Sequence, residues 1–388
     1  MKLLFVHGIR VIKCEGKHYF DASYSAGVFE RYFKYFDEIT FLSRMVEDEN
    51  AKNILEPVLD NRIIFEGISS YTELFNPETK KRIEKIVEQA DAVIVRLPCD
   101  LAEVVQNIAQ KSGKPVIAEV VACSFGALWY HSWKGRLVSG IYYFRLKKQV
   151  KKADHVMYVT QSFLQNRYPA SGDYIGISDV DIGELEAEAL KKRLLKIKDY
   201  SKDKKIILGT IGAVYVKYKG QRYVLKAMAS LIKKGYNLEY QMVGGGTPTK
   251  LIKLAERLGI KDRIIFTGSL KHEDVFRWLD TIDIYVQPSD IEGLPRSMVE
   301  ALSRACPMIG TRVGGIPELI EDKWTFKRKD IKGLEKVLEQ MINANLHEIA
   351  QINYEKAKEY TNSSLNPRRD SYYKQVLKKH NMLAEDAN

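Results

Sequence analysis

Gln287-Pro288-Ser289-Asp290-Ile291-Glu292-Gly293-Leu294-Pro295-Arg296-Ser297-Met298-Val299-Glu300-Ala301-Leu302 is the stretch whose reading decides the fold. A buried strand over residues 283–287 runs into it and stops at Pro288, at the carboxyl edge of a sheet, where open α/β folds place ligands. Pro295 has the fixed φ that suits a first helical residue, so a helix starts there. The amides of Gly293 and Leu294 then lie at a helix N-terminus, where unpaired N–H groups and the helix dipole favour an anion. Gly293 has no side chain to obstruct a close approach. Glu292 stands just outside the helix start, able to accept hydrogen bonds from hydroxyls, and Glu300 lies about one and a half turns in. Taken alone, the two carboxylates equally suit a cap-region residue and a solvated helix face. The flanking segments have to decide.

Downstream of residue 203 the pattern is regular. Apolar strands at 204–212, 238–243, 263–268 and 307–310 alternate with helices, one over 221–234 that ends at Gly235, others running to about 258 and 279. Upstream, strands are expected at 2–7, 39–43, 62–67, 92–97, 115–121, 155–160 and 174–178. Asn76 and Pro77 read as an N-cap and first helical residue, with Ile83, Ile86, Val87 and Ala90 as the buried stripe. Another helix over 101–112 ends on Gly113. Alternating β and α of this kind argues for parallel sheets covered on both faces. The charged stretch 184–203, without a sheet signal, separates the halves as a short helix and linker. The expectation is an α/β chain with one domain at 1–183, a linker at 184–203 and a second domain at 204–362. In the final segment, 363–388, a basic helix over about 367–383 follows a break at 362–366 and is free to pack back on the first domain. A length of 388 residues fits two such domains.

Composition narrows the classes. Apolar residues make up 45% of the chain, ordinary for a protein with real cores. The apolar run from Leu3 to Val6 is interrupted by His7, Gly8 and Arg10, too early for a signal peptide. No stretch approaches the roughly 20 apolar residues of a membrane span. Cys14, Cys99, Cys123 and Cys306 are scattered without metal-ligand spacing, which suits a reducing cytoplasm. A formal charge of +11 fits nucleic acid, an anionic membrane surface or phosphorylated substrates, and no nucleic-acid motif accompanies it. Between Ser132 and Ala153 there is no acidic residue, while Lys134, Arg136, Arg145, Lys147, Lys148, Lys151 and Lys152 are basic. Leu137, Ile141 and Phe144 fall at helical spacing among them, so 134–152 reads as a basic amphipathic helix suited to an anionic membrane surface. An ordinary core helix with a solvated basic face has the same pattern.

The segment around Glu292 and Glu300 resembles the donor-binding signature of glycosyltransferase family 4. So do the loops around it: Gly209-Thr210-Ile211-Gly212 followed by Lys219-Gly220, Val243-Gly244-Gly245-Gly246, Phe266-Thr267-Gly268, and Gly310-Thr311-Arg312-Val313-Gly314-Gly315-Ile316-Pro317-Glu318. They occur in the family's order from about residue 204 to 320, whereas the first half resembles the family only in outline. The resemblance implies a GT-B fold, two Rossmann-like parallel-sheet domains facing a central cleft, and retaining transfer of a sugar from a nucleotide sugar. It implies that Glu292 contacts donor-sugar hydroxyls, that Glu300 holds ribose hydroxyls, and that Lys219 neutralises the diphosphate. Gly293 and Leu294 would offer backbone donors, Gly212 and Gly244 would let backbone approach the nucleotide, and Ser269 and Leu270 would touch the base. One position departs from the pattern. The family pairs the lysine with an arginine directly after the glycine, and Ala213 stands there, so either Lys217 or an arginine from elsewhere compensates or diphosphate binding is weak.

In the first half the candidate acceptor residues are Arg96, a charge on an otherwise apolar strand that wants a partner such as a phosphate, together with Glu119 and His131. Cys123 stands at or beside the place where the family carries a polar residue close to the reacting sugar. His7, Gly8 and Gly27 border the cleft or simply form turns. Asp179-Val180-Asp181 has the form of a metal-binding DxD, but its position before the linker matches the family's hinge, so neither metal nor other cofactor is expected. The resulting expectation is a hexosyltransferase-type enzyme, cytoplasmic and peripheral on the inner face of the membrane. It would move a sugar from a nucleotide sugar, on family likeness a uridine diphosphate sugar, to a glycan or lipid-linked acceptor in polysaccharide or glycoconjugate synthesis. The alternative is a glycosyltransferase-like binding or partner subunit with little turnover, motivated by Ala213 and Cys123. Nucleic acid is not an expected partner.

Overall fold

Every position of the segment Ala-Val-Ile-Val-Arg-Leu at 92–97 is buried, and so is every position of Ile-Tyr-Val-Gln at 284–287, which marks each as a central strand covered on both faces. In the computed structural model, which describes residues 1–20, 26–53, 55–131, 133–201 and 204–383, they belong to two separate sheets. The first comprises β1 (Lys2–Cys14), β2 (Lys17–Phe20), β3 (Glu38–Glu47), β4 (Ile63–Ile68), β5 (Ala92–Leu97), β6 (Val116–Val120), β7 (His155–Tyr158) and β8 (Asp173–Gly176). Its order is β4-β3-β1-β5-β6-β7-β8, all parallel, with β2 folded back antiparallel on β1. The second comprises β9 (Ile206–Ile211), β10 (Leu238–Val243), β11 (Ile264–Gly268), β12 (Ile284–Gln287), β13 (Met308–Thr311) and β14 (Thr325–Phe326). Its order is β11-β10-β9-β12-β13-β14, again parallel. In each sheet the winding reverses between two strands that are neighbours in space but not in sequence: β1 and β5, then β9 and β12. Such a reversal opens a crevice at the carboxyl ends of the strands.

Local chemistry explains most boundaries. The Asn76 side chain accepts the Glu78 amide at 2.8 Å and Pro77 follows, so the helix Pro77–Gln89 starts where the sequence said it would. The helix Asp100–Lys111 stops before Gly113, whose φ of +68° suits the chain reversal there. β1 differs from expectation. It does not end at His7 but passes through a register shift between Val6 and Arg10 and continues to Cys14, turning back at Glu15 and Gly16 to pair with β2.

Two helices join the halves. Ala187–Lys198 buries Arg193, which donates to the carbonyls of Leu279, Ile282 and Arg304 at 2.7, 2.6 and 3.1 Å, tying the linker to the second sheet's helices. The last helix, Asn362–Lys379, begins at the residues read as a break. Thr361 accepts the Ser364 amide and Glu184 accepts the Ser363 amide, so 362–366 form its first turn. This helix lies on the first sheet: Tyr373 donates to Glu119 at 3.0 Å, Tyr372 to the Val156 carbonyl at 3.2 Å, and Arg369 to the Ser178 carbonyl at 2.8 Å.

Candidate active site

The loops after β9, β10 and β11 are stitched to one another, with the Gly212 amide on the Val243 carbonyl and the Gly244 amide on the Gly268 carbonyl, both at 2.8 Å. Beyond Gly212 the chain makes a short turn, Lys217–Lys219, and lands on the loop after β12. The Asp290 amide donates to the Tyr218 carbonyl at 2.6 Å. Gly220 has φ of +77°, and a Cβ there would lie 1.9 Å from the Pro288 carbonyl oxygen, so only glycine brings these two loops together. Lys219 is aimed into the crevice as a result. Its Nζ donates to Glu292 Oε1 at 2.8 Å, and Gln287 Nε2 donates to the same oxygen at 3.0 Å.

Gln287 is oriented in turn by its neighbours. Its Oε1 accepts the Tyr285 hydroxyl at 2.7 Å and the Ser297 hydroxyl at 3.3 Å, and its Nε2 also donates to Ser289 Oγ at 2.9 Å. Burial pulls the Lys219 ammonium toward deprotonation, but the Glu292 charge and hydrogen bond outweigh it, so its pKa is raised and it stays cationic. Below this layer the buried Asp290 is held between Arg222 and Tyr223, and burial still pushes its carboxyl above the ordinary range.

Glu300 is on the helix Arg296–Ser303 that starts from the same loop, 3.8 Å from His272 Nε2. Burial raises its pKa, with His272 and Arg296 acting against that rise. Arg296, exposed on the first turn, has no ion pair among the described residues. Its charge is felt at Lys219 and Glu300, and at Asp179 across the cleft. Ser269 is exposed and Leu270 half-buried after β11, with Ser269 Oγ beside Gly245. The amides of Gly293 and Leu294 donate to no protein acceptor among the described residues. The crevice therefore combines a cation, an oriented carboxylate and unpaired amides at a helix N-terminus, a set suited to an anionic ligand bearing hydroxyls.

The carboxyl ends of the first sheet close over this crevice. A Cβ on Gly293 would lie 2.6 Å from the Val121 carbonyl oxygen, just beyond β6, and Gly315 lies against Thr160, just beyond β7. Arg96, on β5, is buried and points not to open space but to Asp179 at 2.5 Å and Glu119 at 3.4 Å. Glu119 also accepts the hydroxyls of Tyr32 at 2.8 Å and Tyr373 at 3.0 Å. The partner that Arg96 wants is thus internal, and Glu119 is spent on the same cluster. Asp181 accepts the Gly183 amide and the Asn362 side chain, so both acidic groups of the Asp-Val-Asp segment are engaged by the protein. Cys123 is buried with its Sγ 3.1 Å from the Tyr168 hydroxyl. The side chain of His131 lies outside the described residues.

The structure thus brings Lys219, Glu292, Glu300, Gly293 and Leu294 to one crevice, edged by Gly212, Gly244, Ser269 and Leu270, and puts Arg96 and Glu119 into a packed cluster beside it. Sequence reasoning passed over Gln287, although an amide at the end of an all-buried strand was the available signal. It also passed over Arg296 as a cation and Glu318 as anything but the end of a glycine loop.

Two parallel sheets meeting at their carboxyl edges, with this crevice on the second, define the GT-B class of glycosyltransferase fold. Solved structures share it: sucrose-phosphate synthase from Thermosynechococcus elongatus has a TM-score of 0.72 at 14% identity, covering 97% of this chain and 99% of that one. HepE of Anabaena, solved in complex with UDP, has a TM-score of 0.66 at 15% identity, covering 99% and 100%. Residues 192–361 match the family described as glycosyl transferases group 1. Protein CapJ of Staphylococcus aureus is 31% identical over 353 residues, covering 88% of this chain and 86% of CapJ. The amylovoran biosynthesis glycosyltransferase AmsK of Erwinia amylovora is 31% identical over 130 residues, 31% of this chain and 32% of AmsK. The chain belongs to the group 1 glycosyl transferases and is a glycosyltransferase.

Proposed function

We propose that the chain transfers a sugar from a uridine diphosphate sugar, with retention at the anomeric carbon, to a glycan or lipid-linked acceptor during polysaccharide synthesis. The observation that carries the donor reading is the Lys219–Glu292–Gln287 cluster at the β9/β12 reversal, facing the unpaired amides of Gly293 and Leu294. Lys219 and the helix N-terminus oppose the negative charge that grows on the departing diphosphate, and no metal is invoked. Arg296 supplies the second cation that Ala213 does not. Glu292, held by Lys219 and Gln287, takes the donor-sugar hydroxyls, and Glu300 takes the ribose. Residues 204–362 act as the donor domain and 1–183 as the acceptor domain. The names of relatives support the process: AmsK is an amylovoran biosynthesis glycosyltransferase, WcaL of Escherichia coli is named a putative colanic acid biosynthesis glycosyltransferase, and HepE has been solved with UDP-glucose.

The acceptor side is proposed to work at an anionic lipid surface. No helix among the described residues is long and apolar enough to cross a membrane. The helix Trp133–Lys152 instead turns Leu137, Ile141 and Phe144 outward at 74%, 60% and 68% exposure, continued along the same stripe by exposed Lys148, Lys151 and Lys152. Arg145 is not part of this face, being paired with Asp100 and Glu103.

The test is release of UDP from a panel of UDP-sugars, with chelator present, by wild type, Glu292→Gln and Lys219→Ala. Turnover by wild type and its loss in both variants is the expected result. Binding without turnover in all three proteins would leave a donor-binding subunit in place of an enzyme.

A further inference from the structure

The helix Phe163–Arg167 sits on the first sheet, yet the carboxylate that caps it comes from the second. Ser162 occupies its N-cap position but makes no side-chain cap bond. Glu318 takes the role instead: Oε2 accepts the Gln161 amide at 2.7 Å, and Oε1 accepts the Ser162 amide at 3.1 Å, the Ser162 hydroxyl at 3.0 Å and the Phe163 amide at 2.8 Å. The Leu164 amide goes to Thr160 Oγ1 at 3.0 Å. Helix N-termini leave amides that need acceptors, and here three successive amides, Gln161 to Phe163, are met by one side chain more than 150 residues away. A carboxylate there also meets the positive end of the helix dipole.

Glu318 belongs to the loop that touches the donor crevice. Three residues earlier, the Gly315 amide donates to the Gly293 carbonyl at 2.6 Å, and Gly314 has φ of +60°, where a Cβ would lie 2.3 Å from the Glu292 carbonyl oxygen and 2.8 Å from that of Gly293. The short segment 314–318 therefore grips the donor loop at one end and the strand end beyond β7 at the other. We propose that Glu318 is a positioning residue: by capping the helix Phe163–Arg167 it sets the distance between the acceptor-side strand ends and the donor loop at Glu292–Leu294. It touches neither substrate nor reacting atoms. Without it, the crevice still holds a nucleotide, but the first sheet no longer stands at the working distance. The inference rests on the donor site proposed above, and UDP affinity separates the two.

Glu318→Ala and Glu318→Gln decide it. Amide exchange at Gln161, Ser162 and Phe163 should rise in Glu318→Ala, and small-angle scattering of the whole chain should report a wider particle. UDP affinity should stay within about twofold of wild type, because the crevice itself is untouched. The kcat for hydrolysis of UDP-glucose should fall about tenfold or more with little change in KM, as expected for lost alignment. Glu318→Gln, which keeps an acceptor oxygen but places an NH2 group among the donors, should fall between. Faster exchange with unchanged scattering and turnover would reduce Glu318 to a local cap and overturn the proposal. A parallel loss of UDP affinity would overturn it too, by placing the defect in the donor crevice. If wild type binds no UDP, the donor reading fails, and unchanged scattering in Glu318→Ala would then refute the tie independently.

Discussion

Lys219 Nζ lies 2.8 Å from Glu292 Oε1, although 73 residues separate them in sequence. The pair places a positive charge and an oriented carboxylate at the crevice where the winding of the second sheet reverses. A diphosphate entering the crevice would meet a partly buried ammonium that Glu292 holds in its charged form.

Replacing Lys219 with alanine removes that charge and leaves Glu292 with Gln287 as its one side-chain donor among the described residues. A charge-assisted contact contributes about 1.5–3 kcal/mol, so UDP affinity should fall roughly 10- to 150-fold. Arg296→Ala should weaken UDP in the same direction, since Arg296 is exposed on the adjoining helix turn and makes no ion pair among the described residues. Calorimetric titration with UDP measures both. Unchanged affinity in Lys219→Ala would remove the lysine from the donor site.

His7 carries a pH dependence. Its imidazole is pushed down from 6.5 to about 3, by burial first and by Arg96 second, with Asp179 acting the other way. Its Nδ1 accepts the Ile9 amide at 2.9 Å, which fixes a neutral tautomer. The folded state therefore binds fewer protons than the unfolded state between those two values, and stability falls as pH drops through the window. The slope reaches at most about 1.4 kcal/mol per pH unit from this one group. Urea unfolding at several pH values, comparing wild type with His7→Gln, should give a flatter dependence in the variant. Parallel curves would show that His7 contributes nothing.

Arg193 is the linker's attachment to the second sheet. It is 3% exposed, and its guanidinium serves three backbone carbonyls and Cys306 Sγ. Arg193→Ala strands those carbonyls in a dry interior and should destabilise the fold by at least ~3 kcal/mol. A denaturation midpoint close to wild type would contradict this.

The outward stripe of the helix Trp133–Lys152 makes a prediction about lipid. Wild type should bind vesicles containing phosphatidylglycerol but not neutral ones, with affinity falling as salt rises. The double change Ile141→Glu and Phe144→Glu should abolish co-sedimentation without altering UDP affinity. Vesicle binding that survives both changes would rule this face out.

Much of this was legible beforehand, for reasons that differ by element. β5 and β12 are unbroken apolar runs, and Asn76 with Pro77 is a local signal with a local cause, so both read directly from sequence. Glu292, Gly293 and Glu300 can be placed together from sequence because strand end, glycine and helix start are contiguous. β2 was missed because a hairpin beside a register shift shows neither strict alternation nor an apolar run. The helix at 362 was begun late because Thr361 and Glu184 supply its cap from two separate places in the chain. Arg96 was read as awaiting a ligand because nothing local shows that Asp179 and Glu119 converge on it. Glu318 was invisible for the same reason: its partners are amides, which have no sequence identity.

The most direct test of the donor site is titration of UDP into wild type and Glu300→Ala. Glu300 is largely buried on the helix that opens from the crevice and sits apart from the Lys219–Glu292 pair, so its change leaves that pair in place. The prediction is one UDP bound per wild-type chain, with affinity reduced about tenfold or more in the variant as a charged hydrogen-bond acceptor for the ribose is lost. No binding to wild type at about 1 mM UDP, or equal binding by both proteins, would contradict the assignment of this crevice to a nucleotide-sugar donor.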